Sequence, residues 1–156
     1  MVIRRARPEE EDEVRALAQA VVDETYGGLW SAPPVPIGDA EWWRSWVAVA
    51  EGGLVGMVLT DQDWGEDLWL RSDFRRRGFG RALLARGEAE IVSRGYRSCR
   101  LRVVRSNAPA IAFYRRCGWK AGQEVAHETL PIVMLEMVKE QGRPEATAPP
   151  APGRRG

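Results

Sequence analysis

The most informative segment of the sequence is LWLRSDFRRRGFGR, residues 68–81. An apolar strand leads into it, a turn with two glycines follows, and a helical pattern begins where it ends. Gly78 and Gly80 allow the backbone to approach a ligand closely, and the first amides of the next helix have no partner within that helix. Four arginines add positive charge: Arg75, Arg76, Arg77 and Arg81. The pattern predicts an anion site built from main-chain amides and suited to a pyrophosphate.

Other phosphate-binding motifs fit this stretch poorly. A Walker A loop needs Gly-Lys-Ser or Gly-Lys-Thr, which the chain lacks. A dinucleotide-binding fingerprint needs glycine or alanine where this chain has Leu83, and it belongs in the first strand–helix unit. A tight turn with solvated arginines remains the alternative to a phosphate site.

Hydrophobic periodicity and turn residues place the other elements around this stretch. Strands are predicted at 2–6, 46–50, 54–60, 67–71, 99–103, 119–124 and 130–138, and helices at 9–22, 81–94 and 108–117. This order predicts one α/β sandwich over residues 1–139, with a mixed, mostly antiparallel sheet flanked by helices. Residues 140–156 are rich in proline, alanine and arginine, which predicts a disordered tail.

The composition of the 156 residues, 44% hydrophobic and 29% charged, is typical of a soluble globular domain. No signal peptide or membrane span is predicted, so we expect a cytoplasmic protein without a membrane partner. Cys99, Cys117 and His127 are too few for a protein-made zinc site, and no metal is expected.

The net charge of +1 conceals an uneven distribution along the chain. Residues 1–70 carry a net −9, residues 71–105 a net +8 and the remainder a net +2. An arginine-rich nucleic-acid binder is one explanation of this distribution. Few lysines, no RNA-binding motif and an acidic first half argue against it, so no nucleic-acid partner is expected.

A second motif, SNAPAIAFYRRCGW, lies at residues 106–119. The two motifs together indicate a protein family more specifically than the first motif alone. Together the two resemble the GNAT superfamily of acetyl-CoA-dependent N-acetyltransferases. The family signature Arg/Gln-x-x-Gly-x-Gly/Ala matches residues 75–80. Its later Asn-x-x-Ala-x-x-Phe-Tyr-x-x-x-Gly-Phe stretch matches residues 107–119, with Trp119 in place of the usual phenylalanine.

The resemblance implies acetyl-CoA as co-substrate and assigns its site. The turn, with Arg75, Arg76, Arg77, Gly78, Phe79, Gly80 and Arg81, would hold the coenzyme pyrophosphate. The backbone of Leu68 and Leu70 would bind the acetyl group and the pantetheine arm, and Asn107 would touch that arm. Tyr114 matches the tyrosine that commonly protonates the leaving thiolate; a purely structural aromatic is the alternative reading.

An amine acceptor must lose a proton before it attacks, and two carboxylates at the start of the motif strand are candidates. Glu66 is the predicted base, with Asp67 and a water relay left open. Members that acetylate ribosomal-protein N-termini carry a glutamate five residues before the asparagine, where this chain has Arg102.

The segment after the first helix commonly recognises the acceptor in this superfamily. Here it contains Trp30, Trp42, Trp43 and Trp46 beside Asp39 and Glu41, and Trp64 lies in the loop before the motif strand. Aromatic faces with carboxylates suit a cationic amine, although each tryptophan could equally be a core anchor.

The resemblance therefore implies an acetyltransferase acting on a small-molecule amine by direct attack in a ternary complex. Acetylation of a protein lysine or N-terminus, and a non-catalytic acyl-CoA-binding domain, are the alternatives. Monomer and homodimer stay open.

Overall fold

The computed structural model describes residues 1–26, 41–128 and 130–141. Its helices are α1 (Glu11–Tyr26), α2 (Phe79–Ser93) and α3 (Ala108–Arg116). Its strands are β1 (Val2–Arg5), β2 (Trp46–Ala50), β3 (Gly53–Asp61), β4 (Trp64–Leu70), β5 (Ser98–Val104), β6 (Lys120–Ala126) and β7 (Val133–Glu140). Within these ranges no helix has the length and apolar character needed to cross a membrane.

The described chain divides into two compact units, the first formed by residues 1–26, 41–61 and 65–90. Its strands are ordered β1-β2-β3-β4. Strands β1 and β2 are antiparallel, as are β2 and β3, which are joined by a tight hairpin. Glu51 and Gly52 both have positive φ, 51° and 82°, as the two central residues of a type I′ hairpin turn require.

Apolar side chains cover both faces of this first group of strands. One core cluster combines the apolar stripe of α1, including Val14 and Val21, with Met57 and Leu59 of β3. Another combines Val55 and Val58 of β3 with Leu83 of α2. Helices thus lie on both faces of the first unit, and each is held by the stripe that its sequence period predicts.

Gly56 of β3 sits where the contact between β3, β4 and α2 is closest. A Cβ atom there would lie 2.9 Å from Leu70 Cδ1 and 2.9 Å from Leu83 Cδ1, and 3.2 Å from the Trp69 carbonyl oxygen. We therefore expect Gly56→Ala to lower the free energy of unfolding by about 1–3 kcal/mol, measured by urea denaturation. Gly53→Ala is the matched control, because nothing lies within 4 Å of its Cβ position. Equal stability of the two variants would contradict this packing.

The second unit contains, of the described chain, residues 62–64, 91–128 and 130–141. Its strands are ordered β5-β7-β6, and both pairs are antiparallel. Leu101, Val103 and Met137 are buried on one face. On β5, Arg100 pairs with Asp63 at 2.7 Å and Arg102 with Glu136 of β7 at 3.0 Å.

The predicted α/β class and the order of strands and helices are confirmed. Individual boundaries differ by a few residues; β4 begins at Trp64, ahead of the predicted start, and β7 continues through Glu140. Most of the proposed tail, from residue 142 on, lies outside the described residues.

Candidate functional site

Two buried aromatic side chains, Phe74 and Phe79, flank the turn after β4. Phe74 is 3% exposed and meets Phe79 edge to face, with ring centroids 5.7 Å apart. Between these two residues the chain takes left-handed conformations at Arg76 (φ 64°) and Gly78 (φ 86°), and α2 then begins at Phe79. A side chain is costly at such a φ, which is one reason for glycine at position 78.

The first backbone amides of α2 have no acceptor within that helix. The first amide of α2 to find an acceptor is that of Ala82, which donates to the Gly78 carbonyl at 3.1 Å. The amides of Phe79, Gly80 and Arg81 precede it, at the positive end of the helix dipole. Such a group of donors binds an anion such as a phosphate.

The arginines of the turn carry only weak internal ion pairs. Arg75 Nη2 lies 3.9 Å from Glu24 of α1 and donates to the Leu70 carbonyl at 3.4 Å. Arg77 Nη1 lies 3.8 Å from Glu51. Arg76 and Arg81 form no ion pair with the part of the chain that the structure describes. Because these contacts are long and solvent-exposed, a bound phosphate could replace them at little cost.

β4 places its side chains alternately on opposite faces. Leu68 and Leu70 pack against the cluster that contains Phe79 of α2, whereas Trp69 packs against the cluster of α1. Glu66, the predicted base, is exposed. Asp67 lies on the face of Trp69, whose Nε1 donates to Asp67 Oδ1 at 2.9 Å. Burial, and secondarily the charge of Glu66, raises the pKa of Asp67 to about 6, although the hydrogen bond from Trp69 opposes this shift.

In the second unit, the sequence motif forms a capped helix. The Asn107 side chain accepts a hydrogen bond from the Ala110 amide at 3.2 Å, so its predicted N-cap role is confirmed. Tyr114 is partly buried, its ring centroid 5.4 Å from that of Phe113 and 6.0 Å from that of the buried Trp119. These contacts fix the tyrosine ring, which is what a positioned proton donor requires.

Residues 14–119 match the model of the acetyltransferase (GNAT) family. The chain belongs to the GNAT family. Membership implies an acyl-CoA-dependent acetyltransferase activity, and the resemblance seen in the sequence is confirmed. No match was found among curated proteins.

Solved structures share the fold of this GNAT protein over nearly its whole length. Apo YjaB from Escherichia coli is 25% identical with a TM-score of 0.68, covering 91% of this chain and 100% of its own. The PaiA N-acetyltransferase from Thermoplasma acidophilum, in complex with coenzyme A, is 20% identical with a TM-score of 0.66 (89% and 98% covered). Ribosomal-protein-alanine N-acetyltransferase from Brucella melitensis is 22% identical with a TM-score of 0.70 (90% and 99%).

The tryptophans predicted to form an acceptor surface in this GNAT protein have different environments. Trp42 is 2% exposed and belongs to the core against α1, whereas Trp43 is 45% exposed. The ring of Trp64 is covered by the guanidinium groups of Arg100, at 4.2 Å, and Arg102, at 5.2 Å. Trp30 lies outside the described residues. A packing role is therefore favoured for Trp42 and Trp64, and Trp43 is the exposed candidate.

Two features around the turn and β4 are not predicted by the sequence analysis. The first is the contact of Glu24 with the turn, where it also accepts a hydrogen bond from Ser72 Oγ at 3.1 Å. The second is the pairing of Asp67 with Trp69. Strand alternation does place Asp67 and Trp69 on one face, so the i, i+2 spacing of a carboxylate and an indole was the available signal.

Proposed function

We propose that this GNAT protein transfers the acetyl group of acetyl-CoA to the primary amine of a small molecule, by direct attack in a ternary complex. The observation that carries the proposal is the turn after β4, with its helix amides and four arginines. Its donors and charge suit a pyrophosphate, and the PaiA structure of the same fold holds coenzyme A.

The turn residues Arg75–Arg81 would bind the pyrophosphate of the coenzyme. The backbone of Leu68 and Leu70 would hold the acetyl carbonyl and the pantetheine arm, and main-chain donors of this kind stabilise a developing oxyanion by several kcal/mol. Asn107 would contact the same arm. Because Arg75 donates to the Leu70 carbonyl in the free protein, coenzyme entry would release that arginine toward the phosphates.

The chemistry would need one proton acceptor and one proton donor. Tyr114 would protonate the thiolate of the departing coenzyme. Glu66 is the base predicted from the sequence, and Asp67, on the opposite face of β4, is the alternative candidate. The net −9 of residues 1–70 favours a cationic amine over an anionic acceptor.

The test is release of free coenzyme thiol from acetyl-CoA in the presence of an amine panel. The panel contains small mono- and diamines, a lysine-containing peptide blocked at its N-terminus, and a peptide with a free N-terminus. We expect amine-dependent release above the buffer rate, fastest with a small cationic amine. Faster release with a peptide would make the protein a protein acetyltransferase. Coenzyme binding without release for any amine would make it a non-catalytic acyl-CoA-binding domain.

A further inference from the structure

A cavity of about 350 Å³ lies in the second unit, where β5 ends and β7 begins. Its lining consists of Val104, Arg105, Ser106, Ile132 and Val133. Three of these residues, Arg105, Ser106 and Val133, are exposed, so the cavity is accessible from solvent. Its volume is at the lower end of the range for small-molecule sites, which suits a short aliphatic compound.

Backbone hydrogen bonds fix the walls of this cavity. The Arg105 amide donates to the Val133 carbonyl at 2.9 Å and joins the end of β5 to the start of β7. Ahead of β7, the His127 amide donates to the Ile132 carbonyl at 3.0 Å, and His127 Nδ1 accepts a hydrogen bond from the Leu130 amide at 3.1 Å. Because these contacts are present in the free protein, a ligand does not have to order the walls, which lowers the cost of binding.

The lining combines aliphatic surface with hydrogen-bond donors. Val104, Ile132 and Val133 supply the aliphatic part, whereas Arg105 and Ser106 supply a guanidinium and a hydroxyl. No carboxylate is among these described lining residues. Such a lining fits a ligand that has a short hydrocarbon part and an anionic end. A carboxylate matches the planar donor pattern of a guanidinium better than a neutral amide does.

The Arg105 guanidinium is oriented but not saturated by its neighbour on β6. Its Nε lies 2.5 Å from Glu124 Oε2, and both side chains are exposed, so the pair contributes little to stability. Glu124 is the one carboxylate that pairs with Arg105 in the described part of the chain. A guanidinium has five N–H donors, more than a single carboxylate can accept. Arg105 can therefore hold a second carboxylate while Glu124 directs it.

The chain continues from this cavity into the residues assigned to the coenzyme arm. Ser106 directly precedes Asn107, which would contact the pantetheine arm. We propose that the cavity binds a carboxylate of the acceptor through Arg105, so that the acceptor is an aliphatic primary amine that also carries a carboxylate. This inference rests on the proposed acetyl transfer and narrows its substrate class.

The first experiment measures thiol release with 3-aminopropanoate, 4-aminobutanoate and 6-aminohexanoate, each beside its own carboxamide. The net −9 of residues 1–70 alone favours the carboxamides, which are net cations, so a preference for the acids requires a specific positive group. We expect kcat/KM for at least one acid to exceed that for its carboxamide by about 10-fold. If every carboxamide reacts as fast as its acid or faster, the carboxylate site is wrong and acetyl transfer stands.

The matched variants are Arg105→Gln and Arg97→Gln, the second of which removes another exposed arginine of the same unit. We expect Arg105→Gln to lower kcat/KM for the preferred acid by about 10-fold and to leave the carboxamide unchanged, because the charged hydrogen bond is lost with the acid alone. Arg97→Gln should keep the wild-type preference. An equal loss with acid and carboxamide in Arg105→Gln would show a purely structural role for Arg105 and overturn the inference.

A second readout does not depend on turnover. The methyl resonances of Val104, Ile132 and Val133 are followed by NMR while each of the three amino acids is added in the presence of coenzyme A. We expect saturable shifts in wild type with the preferred acid, and weaker binding by about 10-fold in Arg105→Gln. Absence of saturable shifts with all three acids would contradict the site. If wild type releases no thiol with any amine but these shifts are present, acetyl transfer fails and the carboxylate site stands.

Discussion

Replacing Tyr114 with phenylalanine is expected to lower kcat by about 10²-fold or more, as the loss of a positioned general acid does. The phenyl ring keeps the contacts with Phe113 and Trp119, so the helix and its packing stay intact. The substitution removes the phenol hydroxyl, which is the proposed proton donor, and the thiolate must then leave unprotonated or take a proton from water. The KM for acetyl-CoA should be nearly unchanged, because the proposed role of the phenol is confined to the step in which the C–S bond breaks.

Thiol release at saturating amine and acetyl-CoA measures this effect. Tyr96→Phe is the matched control: it removes a phenol from the same unit, on a side chain that is 39% exposed. We expect wild-type turnover in the control. If Tyr114→Phe also turns over at the wild-type rate, Tyr114 is a packing residue and another group, or water, protonates the thiolate.

The local parts of the fold were predictable because each has a short-range physical signal. The apolar period of α1, the Glu51-Gly52 hairpin turn and the Asn107 cap depend only on residues near them in the chain, and all three are present. The same holds for the turn after β4, where a glycine with φ of 86° sits at position 78. The residues alone predict an anion site in this turn. The resemblance to the GNAT superfamily implies that the anion is the coenzyme.

The partners of the aromatic residues were not predictable in the same way. In the sequence, tryptophans near carboxylates predict an amine-binding surface. In the structure, however, the guanidinium groups of Arg100 and Arg102, which are distant in sequence, lie over the Trp64 ring. Trp46 is likewise contacted by the guanidinium groups of Arg5, at 4.3 Å, and Arg86, at 4.4 Å. Such pairs are decided by strand order and register, which sequence period does not contain.

Glu66 and Asp67 differ in burial rather than in residue type. Both are carboxylates at the start of β4, and alternation alone places them on opposite faces without saying which face is covered. The structure adds that Asp67 accepts a hydrogen bond from Trp69 Nε1 and that the Tyr26 ring packs against Trp69. Desolvation then raises the pKa of Asp67, an effect that sequence alternation alone does not predict.

Replacing Arg76 and Arg81 together with glutamine is expected to weaken acetyl-CoA binding by about 10²-fold, since a hydrogen bond to a charged group contributes about 1.5–3 kcal/mol. These two arginines form no ion pair with the described residues, so their full charge is available to a phosphate. The difference from wild type should shrink as salt is added, because exposed charges are screened. Arg97→Gln is the control, an exposed arginine of the same basic stretch outside the turn.

Calorimetric titration with acetyl-CoA tests whether the turn after β4 is a coenzyme site. We predict saturable binding at one site in wild type and in Arg97→Gln, and binding weakened by about 10²-fold in the Arg76→Gln/Arg81→Gln variant. Absence of binding to wild type at saturating acetyl-CoA, or equal affinity in the double variant, would contradict the assignment of the coenzyme to this turn.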